Sequence, residues 1–113
     1  MPDTVLPTNA APTGPALDAD LVFDALAHPA RRRLLVSLAV NGPRPAAELT
    51  GAASLRLSAT LKQLDWLQSA KLVVRQENPQ DGRKYLYALA PNVAVAKTEK
   101  GTVLDLGFAT VRL

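Results

Sequence analysis

An α+β fold is what this sequence predicts, and three observations predict it. Apolar residues recur at helical spacing through residues 18–69, interrupted at His28-Pro29, at Asn41-Gly42-Pro43 and near Gly51. Two β-rich runs, 72–77 and 83–89, then flank the polar stretch Asn78-Pro79-Gln80-Asp81-Gly82. A final apolar segment, 102–113, alternates at period two.

Each element follows from its own residues. Residues 1–16 include Pro2, Pro7, Pro12 and Pro15 among Thr, Ala and Asn, a composition unable to bury enough apolar surface to offset chain entropy, so a disordered tail is expected. From Asp18, the apolar positions Leu21, Val22, Ala25 and Leu26 mark a helix, with Asp18 and Asp20 suited to its positive end. Pro29 disfavours helix at His28 but fits a first helical turn, so a second helix runs over 29–40 and buries Leu34, Leu35 and Leu38. A short helix over 45–51 turns Leu49 inward, and a turn at 51–54 leads to a helix over 57–69. At about 100° per residue, Thr60, Leu64 and Leu67 share one face while Ser58, Lys62, Asp65 and Ser69 share the opposite one, with Ala59, Gln63 and Trp66 between.

That order of elements, a helix, a turn, a Leu-spaced helix and a basic hairpin, describes a winged helix-turn-helix, whose second helix enters a DNA major groove beside its wing. An additional C-terminal β-hairpin is expected from a weaker strand over 92–97, a turn at Glu99-Lys100-Gly101 and the segment 102–113, where Leu104, Leu106 and Phe108 share a face. Such an apolar strand with an open edge either extends its own subunit or pairs with a second copy; pairing between subunits is the reading adopted. The expected organisation is thus a tail (1–16), a winged-helix unit (17–90) and a C-terminal β extension serving dimerisation (91–113).

Composition narrows the function. The chain has 113 residues, 48% apolar and 20% charged, which fits one small globular domain with limited core capacity. With no cysteine, disulfides, thiolate metal sites and thiol redox chemistry are excluded, and a reducing cytoplasm is the expected location. Residues 1–17 contain no base and no apolar block, and no apolar run approaches the roughly 20 residues of a membrane span. Ten of the 13 Lys and Arg residues lie between 28 and 86, against four acids, while residues 1–27 carry four acids and no base. A positive charge concentrated in the hairpin and helix unit suits phosphate contact and equally describes a solvated basic surface.

Four stretches, Phe23-Asp24-Ala25-Leu26-Ala27-His28-Pro29-Ala30-Arg31, Glu48-Leu49, Leu64-Asp65-Trp66-Leu67-Gln68-Ser69-Ala70-Lys71-Leu72-Val73 and Tyr85-Leu86-Tyr87-Ala88-Leu89, together resemble the ArsR-type winged-helix transcriptional regulators over about residues 20–90. The resemblance implies a dimeric bacterial or archaeal repressor that releases its operator when a ligand or metal binds. Where metal-sensing members carry a cysteine pair, this chain has Ala46-Ala47, which excludes thiolate sensing. Where the family often shows Ser-Arg-His, it has Leu61-Lys62-Gln63, so base preferences do not transfer.

The expected function is a sequence-specific regulator that binds double-stranded DNA as a homodimer on a palindromic site, half-sites about one helical turn apart. Base and phosphate contacts are assigned to Ser58, Lys62 and Gln63, helped by Arg56 and Thr60, with Ala59 on the same helix. Arg83 and Lys84 hold the wing on the backbone; Arg44, and by the resemblance Arg31, make further backbone contacts. His28 reads as a helix-junction residue, the carboxylates of Asp18, Asp20 and Asp24 as dipole complements, and Trp66 with the tyrosines as half-buried aromatics rather than base platforms. No phosphate loop, nucleophile motif or paired carboxylates are visible, so neither an enzyme nor a cofactor is expected, and no effector is identified. The rival reading is a protein-interaction module that has lost DNA recognition, favoured by Leu57, Leu61 and Asp65 near the groove-facing helix.

Overall fold

Asp18 caps the first helix: its Oδ1 accepts from the backbone N–H groups of Asp20 and Leu21 at 2.9 and 3.2 Å, satisfying two donors that a helix start leaves open. The computed structural model describes residues 17–113, so the expected 1–16 tail lies outside the described residues. Helix α1 spans Ala19–Leu26 and α2 Pro29–Asn41. His28 between them is extended and Pro29 opens α2, as the steric restriction before proline demands. Gly42, at φ +78°, closes α2 in a backbone region that L side chains rarely adopt.

Helix α3, Ala46–Ala53, and helix α4, Leu57–Ser69, form the helix-turn-helix. The sequence predicts that α3 ends near Gly51. The helix continues instead because Ala53 buries its side chain in the core, and Ser54, left-handed at φ 58°, makes the stop. The turn therefore falls at 54–56. Val22 of α1, Leu34 and Leu35 of α2, Leu49 of α3, Leu64 and Leu67 of α4 and the following Leu72 are fully buried in one cluster. At about 1.5–3 kcal/mol per buried aliphatic side chain, this cluster is what orients α4.

Strands β1 (Val73–Asn78) and β2 (Asp81–Leu89) pair antiparallel, Val73 opposite Leu89 and Glu77 opposite Tyr85. An irregularity at Glu77/Asn78 and a bond from the Gln80 N–H to Asn78 Oδ1 (2.9 Å) shorten the predicted five-residue tip to Pro79 and Gln80. Arg44 and Tyr87 exchange both backbone hydrogen bonds, at 3.0 and 2.8 Å, anchoring the wing to the segment that enters α3.

The predicted C-terminal hairpin is present as β3 (Ala94–Thr98) and β4 (Gly101–Asp105), and a short β5 (Thr110–Arg112) completes a three-stranded sheet of order β3-β4-β5. The shared face of Leu104, Leu106 and Phe108 does not survive. Gly107, at φ +89°, turns the chain back, and its N–H bonds Asp105 Oδ1 at 2.9 Å. Leu104 and Leu106 are buried in the same cluster as Leu34 and Leu64, so those two side chains belong to their own subunit's core rather than to a dimer surface. Phe108 alone stays exposed, edge-on to Phe23 of α1 with ring centroids 5.6 Å apart. Period-two spacing could not distinguish one long strand from a strand, a glycine turn and a returning strand. Among the described residues no helix is long and apolar enough to cross a membrane.

Candidate nucleic-acid interface

Helix α4 is held by its leucines and exposes its polar side. Leu64 and Leu67 face the core, and Ser58, Lys62, Asp65 and Ser69 are exposed on the far side, as their 100° spacing requires. Arg56, at the N-cap, is exposed beside them. The N-terminal half of α4 therefore presents a hydroxyl, an ammonium and a guanidinium to solvent, groups that suit phosphates and base edges.

Three residues assigned to DNA contact are engaged within the fold instead. Thr60 is 0% exposed, one turn before Leu64 on the inward face, and cannot touch DNA. Its Oγ1 is buried with no hydrogen-bond partner among the described residues. Thr60→Val, which keeps the shape and removes the unpaired hydroxyl, should leave DNA affinity unchanged and raise stability by about 1 kcal/mol, read from urea midpoints. A loss of stability instead would show that the hydroxyl is satisfied.

Arg31 and Gln63, assigned to the backbone and to bases, bond each other. Arg31 Nε donates to Gln63 Oε1 at 2.8 Å, Nη1 donates to the carbonyl of Asp24 at 3.2 Å, and the guanidinium carbon lies 4.8 Å from the centre of the Trp66 ring. Arg31 is thus a strut joining the end of α1 to α4 rather than a side chain extended toward phosphate. The bond engages the Gln63 amide oxygen, so the amide nitrogen is the donor that residue can still offer. Ala59, half-buried, flanks the same side of α4. The Arg44 guanidinium donates to the Pro43 carbonyl at 2.8 Å and lies 3.9 Å from Glu48, a half-exposed pair of small energetic weight.

On the wing, Lys84 is exposed, and the Arg83 side chain lies outside the described residues. Arg75, not assigned from sequence, stacks on Tyr85 at 4.2 Å from the ring centre, adding a cation to the hairpin. Between the wing, α3 and α4 runs an open groove of about 340 Å³ whose walls include Ala46, Ala47, Leu57, Leu61, Lys84 and Tyr85. Leu57 lies near the angular position of buried Leu64 but is exposed, as expected of a residue near the groove-facing side. It escapes burial because it occupies the first turn of α4, where helical angle no longer reports what covers a side chain.

No protein-family model matches the chain, and no curated protein matches it. Solved structures do. The chain is similar to the homodimeric winged helix-turn-helix DNA-binding domain of a possible ArsR-family regulator of Mycobacterium bovis, with TM-score 0.57 and 28% identity over 64% of this chain and 63% of that one. It is also similar to a MarR mutant of Escherichia coli complexed with operator DNA, with TM-score 0.53 and 29% identity over 63% and 54% of the two chains. A transcriptional regulator of Thermotoga maritima matches at TM-score 0.56 and 21% identity, over 63% of this chain and 50% of that one. The chain spans between half and under two thirds of the length of these three structures. The fold is a winged helix-turn-helix of the kind found in transcriptional regulators. The neighbours include both MarR and ArsR proteins, so the likeness is not specific to the ArsR type that the sequence suggested.

Proposed function

We propose that this chain is a sequence-specific DNA-binding transcriptional regulator that acts as a homodimeric repressor on a palindromic operator. The observation that carries the reading is the exposed Arg56, Ser58 and Lys62 face of α4, set beside the exposed Lys84 of the wing. Two neighbouring cationic surfaces of this kind match a major groove and its flanking phosphates. The neighbour solved on operator DNA supports the partner, and the homodimeric neighbour supports the assembly. The exposed pair of Phe23 and Phe108 supplies an apolar face for a second copy. Repression rests on the ArsR-type resemblance.

The test is selection of bound fragments from genomic DNA, followed by titration of a selected operator. Lys62→Ala should weaken the operator by about 1–3 kcal/mol, some 5- to 150-fold, and affect unrelated DNA less. Lys84→Ala should weaken all sequences alike and reduce the slope of log affinity against log salt by about one. Equal affinity in both variants would remove the assigned surface. The second reading, a protein-interaction module, is favoured by the exposed Leu57 and Leu61 and by Asp65 on the outer face of α4. It predicts no salt-dependent enrichment of any fragment, together with a co-purifying protein partner.

A further inference from the structure

We infer that Leu57 and Leu61 read thymine in each half-site, by packing against the 5-methyl groups in the major groove. This rests on the DNA-binding reading above and adds what the operator must contain. Leu57 is 47% exposed and Leu61 41% exposed, one turn apart on the wing-facing flank of α4, and both line the groove described above. Exposed cations stand around that apolar strip: Arg56 and Lys62 on α4 and Lys84 on the wing. Positive charge beside apolar side chains suits a polyanion that itself offers apolar groups, and a duplex does so at the thymine methyl. The major-groove edges of the bases are nitrogen and oxygen donors and acceptors apart from the thymine methyl.

The energetics are one-sided. A leucine pressed on a guanine or cytosine edge strips water from polar atoms and returns no hydrogen bond, whereas on a thymine methyl it buries apolar surface on both sides. Positions four apart on a helix lie about 5–6 Å from each other, and base pairs stack about 3.4 Å apart. The two leucines therefore meet neighbouring or next-but-one base pairs. Tyr85, exposed on the opposite wall of the groove, helps to exclude water from the same contact.

The experiment replaces thymine by uracil, which keeps every hydrogen-bonding group and lacks only the methyl. Sites are selected from a random duplex pool with the full chain, and each invariant thymine is then exchanged singly for deoxyuridine. The wild-type protein should lose about fourfold in affinity per methyl removed. Leu57→Ala or Leu61→Ala should bring that ratio close to one at the base pair each side chain reads. Both positions are exposed, so circular dichroism of the variants should match the parent. Sites selected without invariant thymines, a uracil exchange that changes nothing, or a thymine preference unaltered in both variants overturns the inference and leaves DNA recognition standing. Failure to enrich any duplex removes both, and a protein co-purifying through an intact Leu61 but not through Leu61→Ala would assign the groove to that partner.

Discussion

Leu104→Ala should lower folding stability by about 2–5 kcal/mol and the thermal midpoint by about 10 °C or more, although the residue lies outside the helix-turn-helix. Leu104 is fully buried in the cluster that contains Leu34, Leu64 and Leu72, and the half-buried Val111 and Leu113 pack against the same cluster. Truncation leaves a cavity whose walls are helices and strands tied to one another, so they relax little. The three-stranded sheet is then part of the fold that positions α4. Phe108→Ala tests the opposite case on the same segment. Its ring touches Phe23 edge-on and remains exposed, so its removal should cost no more than about 1.5 kcal/mol within a subunit. If the Phe23 and Phe108 face meets a second copy, that substitution should shift the monomer–dimer equilibrium at a nearly unchanged midpoint. Thermal melts at two protein concentrations, with sedimentation at the same concentrations, separate the two effects. A Leu104→Ala protein with the parent midpoint but a dissociated dimer would place Leu104 in the subunit interface instead of the core.

The helical frame was legible in the sequence because local chemistry and burial agree there. Asp18, Pro29 and Gly42 mark ends by capping, ring sterics and positive φ, and Leu34, Leu35, Leu38, Leu64 and Leu67 repeat at the helical period and are buried. The errors lie where a one-dimensional pattern has two three-dimensional solutions. Alternation over residues 102–113 fits a single strand that includes Gly107; at φ +89° that glycine is instead the turn which sends Leu106 inward and leaves Phe108 on the surface. Thr60 shares the period of the core and has a hydroxyl that suits DNA, and only burial decides between them. Leu57 is no such error: it has a core-like angle, yet the sequence places it near the groove, and it is exposed at an uncovered helix end. The Arg31–Gln63 bond joins residues 32 apart in sequence, and neither residue type announces a partner that distant.

That bond makes the second large prediction. Arg31, on α2, reaches two other helices through three groups: the Asp24 carbonyl near the end of α1, and the Gln63 amide oxygen and the Trp66 ring on α4. A hydrogen bond from a charged donor is worth about 1.5–3 kcal/mol when part-buried, and the cation–ring contact about 0.5–1 kcal/mol at an exposed site. Arg31→Ala should therefore destabilise the fold by about 2–4 kcal/mol. It should also release the Gln63 side chain, so operator affinity falls beyond the loss of one positive charge. Arg31→Lys keeps the charge but not the planar fork that serves Gln63 and Asp24 together, and should recover less than half of the stability. The decisive measurement is a double-mutant cycle of Arg31→Ala with Gln63→Ala, read both in denaturant midpoints and in operator affinity. A coupling of about 1 kcal/mol or more in each establishes a positioning strut beneath α4. Coupling confined to stability makes the bond purely structural. Additive losses in affinity with full rescue by lysine would instead make Arg31 a simple cation facing the phosphates, as the family resemblance first suggested.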